Sequence, residues 1–362
     1  MSTTAPAPHE RSLPSKLLRR LMIAVVLLVV ILVPSIIMVV VTRLATGHVE
    51  GAATWASMPA IVGLAAVAVG GVRIAVRLAF VLAFVAPLSI IAGQTPASGA
   101  ALMALLCLMV GFTSRLGLQK VTLLVPVFIA WTLIDPPVWG SPAVLDRTDN
   151  AYLLWMAAIW FVGGMFPVLV APFLLRKVHL PAPKPHSLQE ALPYTIIITV
   201  LVSVATYYVL DHAALYGGGF LVAAILVLTP LGPADALRPT LIRMAGTILG
   251  VILVIPIIVS VSSLLLIYVI GLVCGIAAVM AKFSPRGWIY YALIVPTSAC
   301  LNAVAVPQVR QLGEQRLIDN VVGGILVLIA VACSIGYSRL RAHHGPQQPD
   351  QQVLVGIPLA TS

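Results

Sequence analysis

The segment LRPTLIRMAGTILGVILVIPIIV, residues 237–259, places two arginines at the start of a run that is long and apolar enough to cross a bilayer. The whole chain of 362 residues has the same character, with 60% hydrophobic residues, 9% charged residues and a mean hydropathy of +1.08. Soluble domains carry about 25% charged residues. The composition therefore predicts an all-α polytopic membrane protein in which the lipid bilayer is a permanent partner.

Twelve apolar runs have about the length of a membrane helix, some of them marginally. Their predicted bounds are 21–42, 55–72, 74–92, 98–114, 120–136, 152–175, 192–210, 216–231, 240–260, 262–281, 288–305 and 318–338. The first run has no small-residue cleavage site behind it, which predicts an uncleaved anchor.

The lysines and arginines predict the orientation of the helices, because cytoplasmic loops carry an excess of both. With twelve helices and the N-terminus inside, 17 of the 21 fall on the cytoplasmic side. Arg238 and Arg243 then mark a cytoplasmic helix start. We expect a multi-pass protein of the inner membrane with both termini cytoplasmic. Charges scattered this sparsely form no surface for nucleic acid.

An internal repeat emerges when the sequence is shifted by 170 residues. The shift superimposes Arg73 on Arg243, Gly117 on Gly287, Pro126 on Pro296, Pro137 on Pro307, Asp149 on Asp319 and Asn150 on Asn320. Two six-helix repeats inserted the same way round would be related by an axis along the membrane normal. The predicted divisions are a cytoplasmic tail at 1–20, a first repeat at 21–175, a Pro-rich linker at 176–190, a second repeat at 191–338 and a cytoplasmic tail at 339–362.

Two motifs carry a resemblance to a known family. RPTLIRMAGTILG (238–250) and QRLIDNVVGG (315–324) resemble the fusaric acid resistance and aromatic acid exporter family, whose membrane unit has an Arg, Gly-Thr, Gly pattern and later an Arg with an Asp. The resemblance implies export of small organic anions such as aromatic carboxylic acids, in some members with a periplasmic membrane-fusion protein. Larger relatives carry a long cytoplasmic domain, so a compact member is expected here.

Charged residues inside a membrane span are functional candidates because their insertion is costly. The predicted substrate-binding residues are the arginines and the small residues that follow Arg243: Arg243, Arg77, Arg73, Gly246, Thr247 and Gly250. Our hypothesis is that Arg243, with Arg73 or Arg77, captures the anion at the cytoplasmic side. The alternative is a structural role, in which the arginines reach lipid phosphates and Gly246 and Gly250 form a GxxxG pair that packs helices.

The predicted proton-coupling residues are Asp149 and Asp319, together with Arg147 and Arg316. Each aspartate is predicted at the start of a helix, on the outer side of the membrane. The alternative for the two acidic residues is helix capping. The four cysteines are scattered through apolar runs, so neither a metal nor another cofactor is expected.

These features predict a proton-driven secondary transporter rather than an enzyme. A passive organic-anion channel stays open because the same arginines would serve it, and so does a major-facilitator-type transporter, although its loop signature is missing where AVGGVRIAVR stands. A membrane-embedded transferase is less favoured, since the histidines lie mostly in loops and termini. No GxxxxGK[ST] motif for ATP is present. Substrate identity and oligomeric state stay open.

Overall fold

The structure is a computed structural model that describes residues 13–46, 52–136, 148–174, 185–212, 218–229, 237–282, 287–302 and 306–344. Within these ranges all regular structure is α-helical, which confirms the predicted class. The helices are α1 Leu13–Thr46, α2 Ala52–Ala92, α3 Pro96–Ser114, α4 Gln119–Thr122, α5 Leu124–Ile134, α6 Asn150–Leu174, α7 Leu188–Asp211, α8 Gly218–Leu228, α9 Leu237–Ser260, α10 Leu264–Lys282, α11 Gly287–Asn302 and α12 Val306–His344.

Eight helices among the described residues are long and apolar enough to cross a membrane. They are α1, α2, α3, α6, α7, α9, α10 and α12. Three shorter apolar stretches, Gln119–Ile134, Gly218–Leu228 and Gly287–Leu301, complete the bundle. The chain is therefore a multi-pass membrane protein.

Helix α2 folds back on itself at Gly71, whose φ of 77° and ψ of 177° are non-helical. A Cβ placed on Gly164 of α6 would lie 3.4 Å from Cβ of Ala79 and 3.7 Å from Cβ of Pro59. In a straight helix Pro59 and Ala79 would be about 30 Å apart, at 1.5 Å per residue. The two limbs of α2, residues 52–70 and 72–92, must therefore both lie against α6.

The helices pack around a core formed mostly by α2, α3, α5, α6, α7 and α8, with fully buried Trp160 and Leu82 at its centre. A smaller core lies between α9, α10 and α11. The two predicted repeats, 21–175 and 191–338, contact each other through two pairs of helices. Helix α1 packs against α10, and α3 packs against α7. Helix α12 packs against both α8 and α9.

All twelve predicted runs overlap helices, with differences at the boundaries. The run 120–136 is divided between α4 and α5, and the runs 55–72 and 74–92 are the two limbs of α2. Helix α7 begins at Leu188, inside the predicted linker 176–190, because the residues LQEAL favour helix.

Helix α12 begins at Val306, well before the predicted start at 318, which is a correction to the sequence prediction. Pro307 suits the first turn of a helix, and Gln, Leu, Glu and Arg follow it. The segment 306–313 lies outside the apolar segment Glu314–Cys333, yet it continues α12 as helix.

Candidate functional site

Arg316 lies inside the apolar segment Glu314–Cys333 of α12. Its guanidinium carbon is 4.2 Å from the centroid of the Phe220 ring in α8. Its Nε atom is buried and has no hydrogen-bond partner among the described residues. A guanidinium presents five N–H donors in a fixed fork that matches a carboxylate. Arg316 is therefore a half-buried cation with donors available to a ligand.

An aromatic pair lies beneath Arg316 and joins the two halves of the chain. Phe220 packs edge-on against Trp131 of α5, with ring centroids 4.1 Å apart and an interplanar angle of 79°. Gly219 also lies against Trp131, since a Cβ there would be in van der Waals contact with Trp131 Cδ2 at 3.5 Å. The site thus combines one cation with two aromatic rings from different halves.

Asp319 follows Arg316 by three residues and shares its side of α12. Its Oδ2 atom is buried without a hydrogen-bond partner, and no ion pair joins it to Arg316 in the described part of the chain. The amide of Asn320 instead donates to the backbone carbonyl of Arg316 at 2.7 Å. One polar atom of each side chain, Nε of Arg316 and Oδ2 of Asp319, is thus buried without a hydrogen-bond partner among the described residues.

Asp319 does not open a helix, contrary to the sequence prediction, because α12 starts thirteen residues earlier. Asp149 does occupy that position in α6: it is exposed, and its Oδ1 accepts a hydrogen bond of 2.9 Å from the backbone N–H of Ala151. This is the geometry of a helix N-cap. The predicted equivalence of the two aspartates therefore fails structurally, and Arg147 lies outside the described residues.

A second group of cations surrounds two tyrosines of α11. The guanidinium carbon of Arg243 is 5.0 Å from the Tyr291 ring centroid, and Nζ of Lys282 is 4.4 Å from the Tyr290 ring centroid. The two rings meet edge-on with centroids 5.1 Å apart. Arg243 and Lys282 interact electrostatically with each other, and Lys120 of α4 adds to the same positive field. We call Arg243, Lys282, Tyr290 and Tyr291 the tyrosine–cation cluster.

The glycines that follow Arg243 pack α9 against α11. A Cβ on Gly246 would lie 2.6 Å from Cβ of Tyr291, and one on Gly250 would lie 2.5 Å from the carbonyl oxygen of Ala292. Thr247, between them, is buried. The structure thus gives Gly246 and Gly250 the helix-packing role that the sequence analysis held open as an alternative.

The remaining predicted cations lie elsewhere. Arg73 and Arg77 are exposed on the second limb of α2, and α9, which carries Arg243, packs mainly against α11 and α12. No described contact joins either arginine to Arg243. Arg238 is exposed, as expected for a basic residue that marks a helix start at the membrane surface. Lys120 and Lys282 thus take the place that the sequence hypothesis gave to Arg73 and Arg77.

Sequence reasoning missed Phe220, Trp131, Lys282 and the two tyrosines as members of these sites. Of these, only Lys282 and the two tyrosines could have been predicted to lie close together. Lys282 follows the end of the predicted run 262–281, and the tyrosines lie at the start of the next run, 288–305. In the described ranges, no three His, Cys, Asp or Glu side chains come together as a metal site requires.

A bundle of apolar helices in which a half-buried arginine lies over an aromatic ring defines a multi-pass membrane protein. Residues 202–330 match the family model described as fusaric acid resistance protein-like. The match confirms the family resemblance predicted from the motifs at 238–250 and 315–324. It includes Phe220, Arg243, Arg316 and Asp319. No curated protein and no solved structure matches the chain.

Proposed function

We propose that the protein is a proton-driven secondary transporter that exports small organic anions, such as aromatic carboxylic acids, across the inner membrane. The observation that carries the proposal is the guanidinium of Arg316, held over Phe220 inside an apolar segment with its Nε unpaired. A buried guanidinium N–H without a hydrogen-bond partner is unfavourable, so its presence favours a role in binding an anion. The family match supports the same class of protein.

The site fits an aromatic acid in two respects. The fork of Arg316 would bind the carboxylate through charge-assisted hydrogen bonds, which are stronger than neutral ones. Phe220 and Trp131 would then contact the ring of the substrate, since aromatic rings pair favourably in edge-on and offset arrangements. An aliphatic acid of the same charge would gain only the first interaction.

Asp319 supplies a route to proton coupling. When its carboxyl group is ionised, it competes with the substrate carboxylate for the positive charge of Arg316. When the carboxyl group is protonated, the substrate is the only anion beside Arg316. Protonation of Asp319 and binding of the organic anion at Arg316 would therefore favour each other, and this linkage, in a site open alternately to each face, is the proposed basis of proton coupling.

The proposed architecture is twelve crossings arranged as two parallel six-helix repeats. A rotation that exchanges the halves would map the contact of α1 with α10 onto the contact of α7 with α3, and both contacts are present. Shifted by 170 residues, α3 corresponds to 266–284, beside α10 at Leu264–Lys282, and the end of α6 corresponds to the end of α12. The fold-back at Gly71 supplies the additional crossing in the first half.

Cytoplasmic termini are proposed from the distribution of lysine and arginine in the loops. A periplasmic membrane-fusion protein is a further proposed partner, on the basis of the family resemblance. The absence of an ATP-binding motif from the sequence makes an ion gradient the natural energy source.

The second candidate function is a passive organic-anion channel, which the same Arg316 would serve. Purified protein in proteoliposomes should accumulate labelled benzoate faster than protein-free liposomes under the same imposed pH gradient, since the free acid also crosses lipid unaided, and Arg316→Gln should abolish the difference. Benzamide, the neutral isostere, should not be transported. Flux of benzoate that only follows its own gradient would identify a channel, and Arg316→Gln with wild-type flux would contradict the anion site itself.

A further inference from the structure

The tyrosine–cation cluster has an excess of positive charge that no side chain of the described residues neutralises. Arg243 and Lys282 come from different helices, α9 and α10, and meet at the adjacent tyrosines of α11. No described carboxylate pairs with either cation, and Lys120 increases the repulsion. Like charges held this close raise the energy of the folded protein unless an anion joins them.

The faces of Tyr290 and Tyr291 offset part of this repulsion, because a ring face attracts a cation. A ring face leaves N–H donors of a guanidinium or an ammonium unused. Arg243 is half-buried and Lys282 is exposed, so both cations keep N–H donors that an anionic oxygen ligand arriving from water could bind.

Arg243 differs from the other basic residues that mark helix ends. Arg238, Arg73 and Arg77 are exposed, whereas Arg243 is half-buried and contacts an aromatic ring. Gly246, one turn later, brings the backbone of α9 against Tyr291 and so places that ring beneath Arg243. A basic residue that only sets the orientation of a helix in the membrane does not require an aromatic ring beneath it.

The cluster and Arg316 lie at different depths of the same bundle. Gly324 of α12 faces Met244, since a Cβ on the glycine would be 2.6 Å from the Met244 sulfur. Arg316 is eight residues earlier in α12, about 12 Å along the axis at 1.5 Å per residue. Thr240 donates to the carbonyl oxygen of Leu228 at 3.3 Å, which joins the start of α9 to the end of α8 opposite Phe220.

We propose that Arg243 and Lys282, held over Tyr291 and Tyr290, form a second anion site that receives the carboxylate of the transported acid at a different depth of the second half from Arg316. The proposal rests on the proposed function, because it concerns the same substrate. An anion bound at one of the two sites would move about 12 Å, at 1.5 Å per residue of α12, to reach the other. Two binding sites would divide the passage of a charge through the apolar bundle into two shorter steps.

The test is benzoate transport measured separately from each face, with inside-out and right-side-out membrane vesicles. Arg243→Gln and Lys282→Gln should each raise the half-saturating benzoate concentration about tenfold from the face that carries the cluster, as expected for loss of one charge-assisted contact. From the other face the change should stay below about twofold, since entry there is at Arg316. Arg238→Gln, an exposed neighbour on the same helix, is the matched control and should match wild type from both faces.

Two results would overturn this proposal alone. One is wild-type half-saturation from both faces in Arg243→Gln and Lys282→Gln while Arg316→Gln still blocks transport. The other is an effect of Lys282→Gln that appears with anionic lipids and vanishes in phosphatidylcholine proteoliposomes, which would identify a lipid headgroup as the ligand. Failure of the proposed function is distinguishable, because wild-type vesicles would then not transport benzoate from either face, and failure of the Arg316 site would leave Arg316→Gln with wild-type transport.

Discussion

Gly246 and Tyr291 are in such close contact that a Cβ on the glycine would lie 2.6 Å from Cβ of the tyrosine. This contact sets the distance between α9 and α11 and fixes the Tyr291 ring beneath the guanidinium of Arg243. The Arg, Gly-Thr, Gly motif of the second half therefore links a packing requirement to the placement of a cation.

Gly246→Ala should separate α9 from α11 and displace Tyr291. We expect a loss of about 1–3 kcal/mol in stability, the usual cost of overpacking, together with a higher half-saturating benzoate concentration from the cluster face. Thermal unfolding in detergent and vesicle transport measure the two effects. Gly336→Ala is the control, since no atom lies within 4 Å of a Cβ at that position. Equal behaviour of the two variants would show that the close contact is unimportant.

Phe220→Leu should distinguish the ring contact from the charge contact at the Arg316 site. Loss of an aromatic pair costs about 0.5–1.5 kcal/mol beyond lost area, so benzoate affinity should fall about three- to tenfold. Acetate, which has no ring, should compete as well as before. Competition of both acids against labelled benzoate provides the measurement, and an equal loss for acetate would contradict the assigned role of Phe220.

Asp319→Asn should uncouple transport from protons. In the wild type, ionised Asp319 competes with the substrate, so binding should weaken as the pH rises; the neutral amide removes that competition at every pH. The variant should bind benzoate with a constant affinity between about pH 6 and about pH 8, where the benzoate carboxyl stays ionised, and should not accumulate it when a pH gradient is imposed.

Asp149→Asn is the matched control for Asp319→Asn. Asp149 is exposed and caps α6 through Ala151, and asparagine is an equally good N-cap. We therefore expect wild-type pH dependence and stability. Loss of proton coupling in the Asp149 variant, with coupling intact in the Asp319 variant, would reverse the assignment.

Gly71→Ala should destabilise the fold-back of α2. The backbone at Gly71, with φ of 77° and ψ of 177°, lies in a region almost restricted to glycine. The strain of a side chain there costs about 1–3 kcal/mol, so the yield of monodisperse protein should fall. Size-exclusion chromatography beside Gly336→Ala measures this loss, and an unchanged yield would indicate that the turn tolerates a side chain.

The helical content was predictable because apolar runs of membrane length have few alternative structures in lipid. Arg243 was also identifiable, since charge inside an apolar run is costly, and Arg316 and Asp319 were named from the internal repeat that aligns Asp319 with Asp149. The partners of those charges were not identifiable. Phe220 reaches Arg316, and Lys282 reaches Arg243, only through the packing of helices that are distant in the sequence.

The predicted equivalence of Asp149 and Asp319 shows a different difficulty. The 170-residue shift aligns the two residues, yet one caps α6 and the other lies well inside α12. Helix α12 extends over residues 306–313, outside the apolar segment Glu314–Cys333, and hydropathy alone does not predict that extension. Helix propensity, rather than hydropathy, carried the missing information.

Equilibrium binding of radiolabelled benzoate to the purified protein tests most directly whether Arg316 holds the carboxylate. Arg316→Gln should weaken binding about 10- to 100-fold, the loss of about 1.5–3 kcal/mol expected for a hydrogen bond to a charged group, while Arg238→Gln should bind as wild type. Benzamide should displace benzoate from neither protein. Equal affinity of Arg316→Gln and wild type for benzoate would contradict the account.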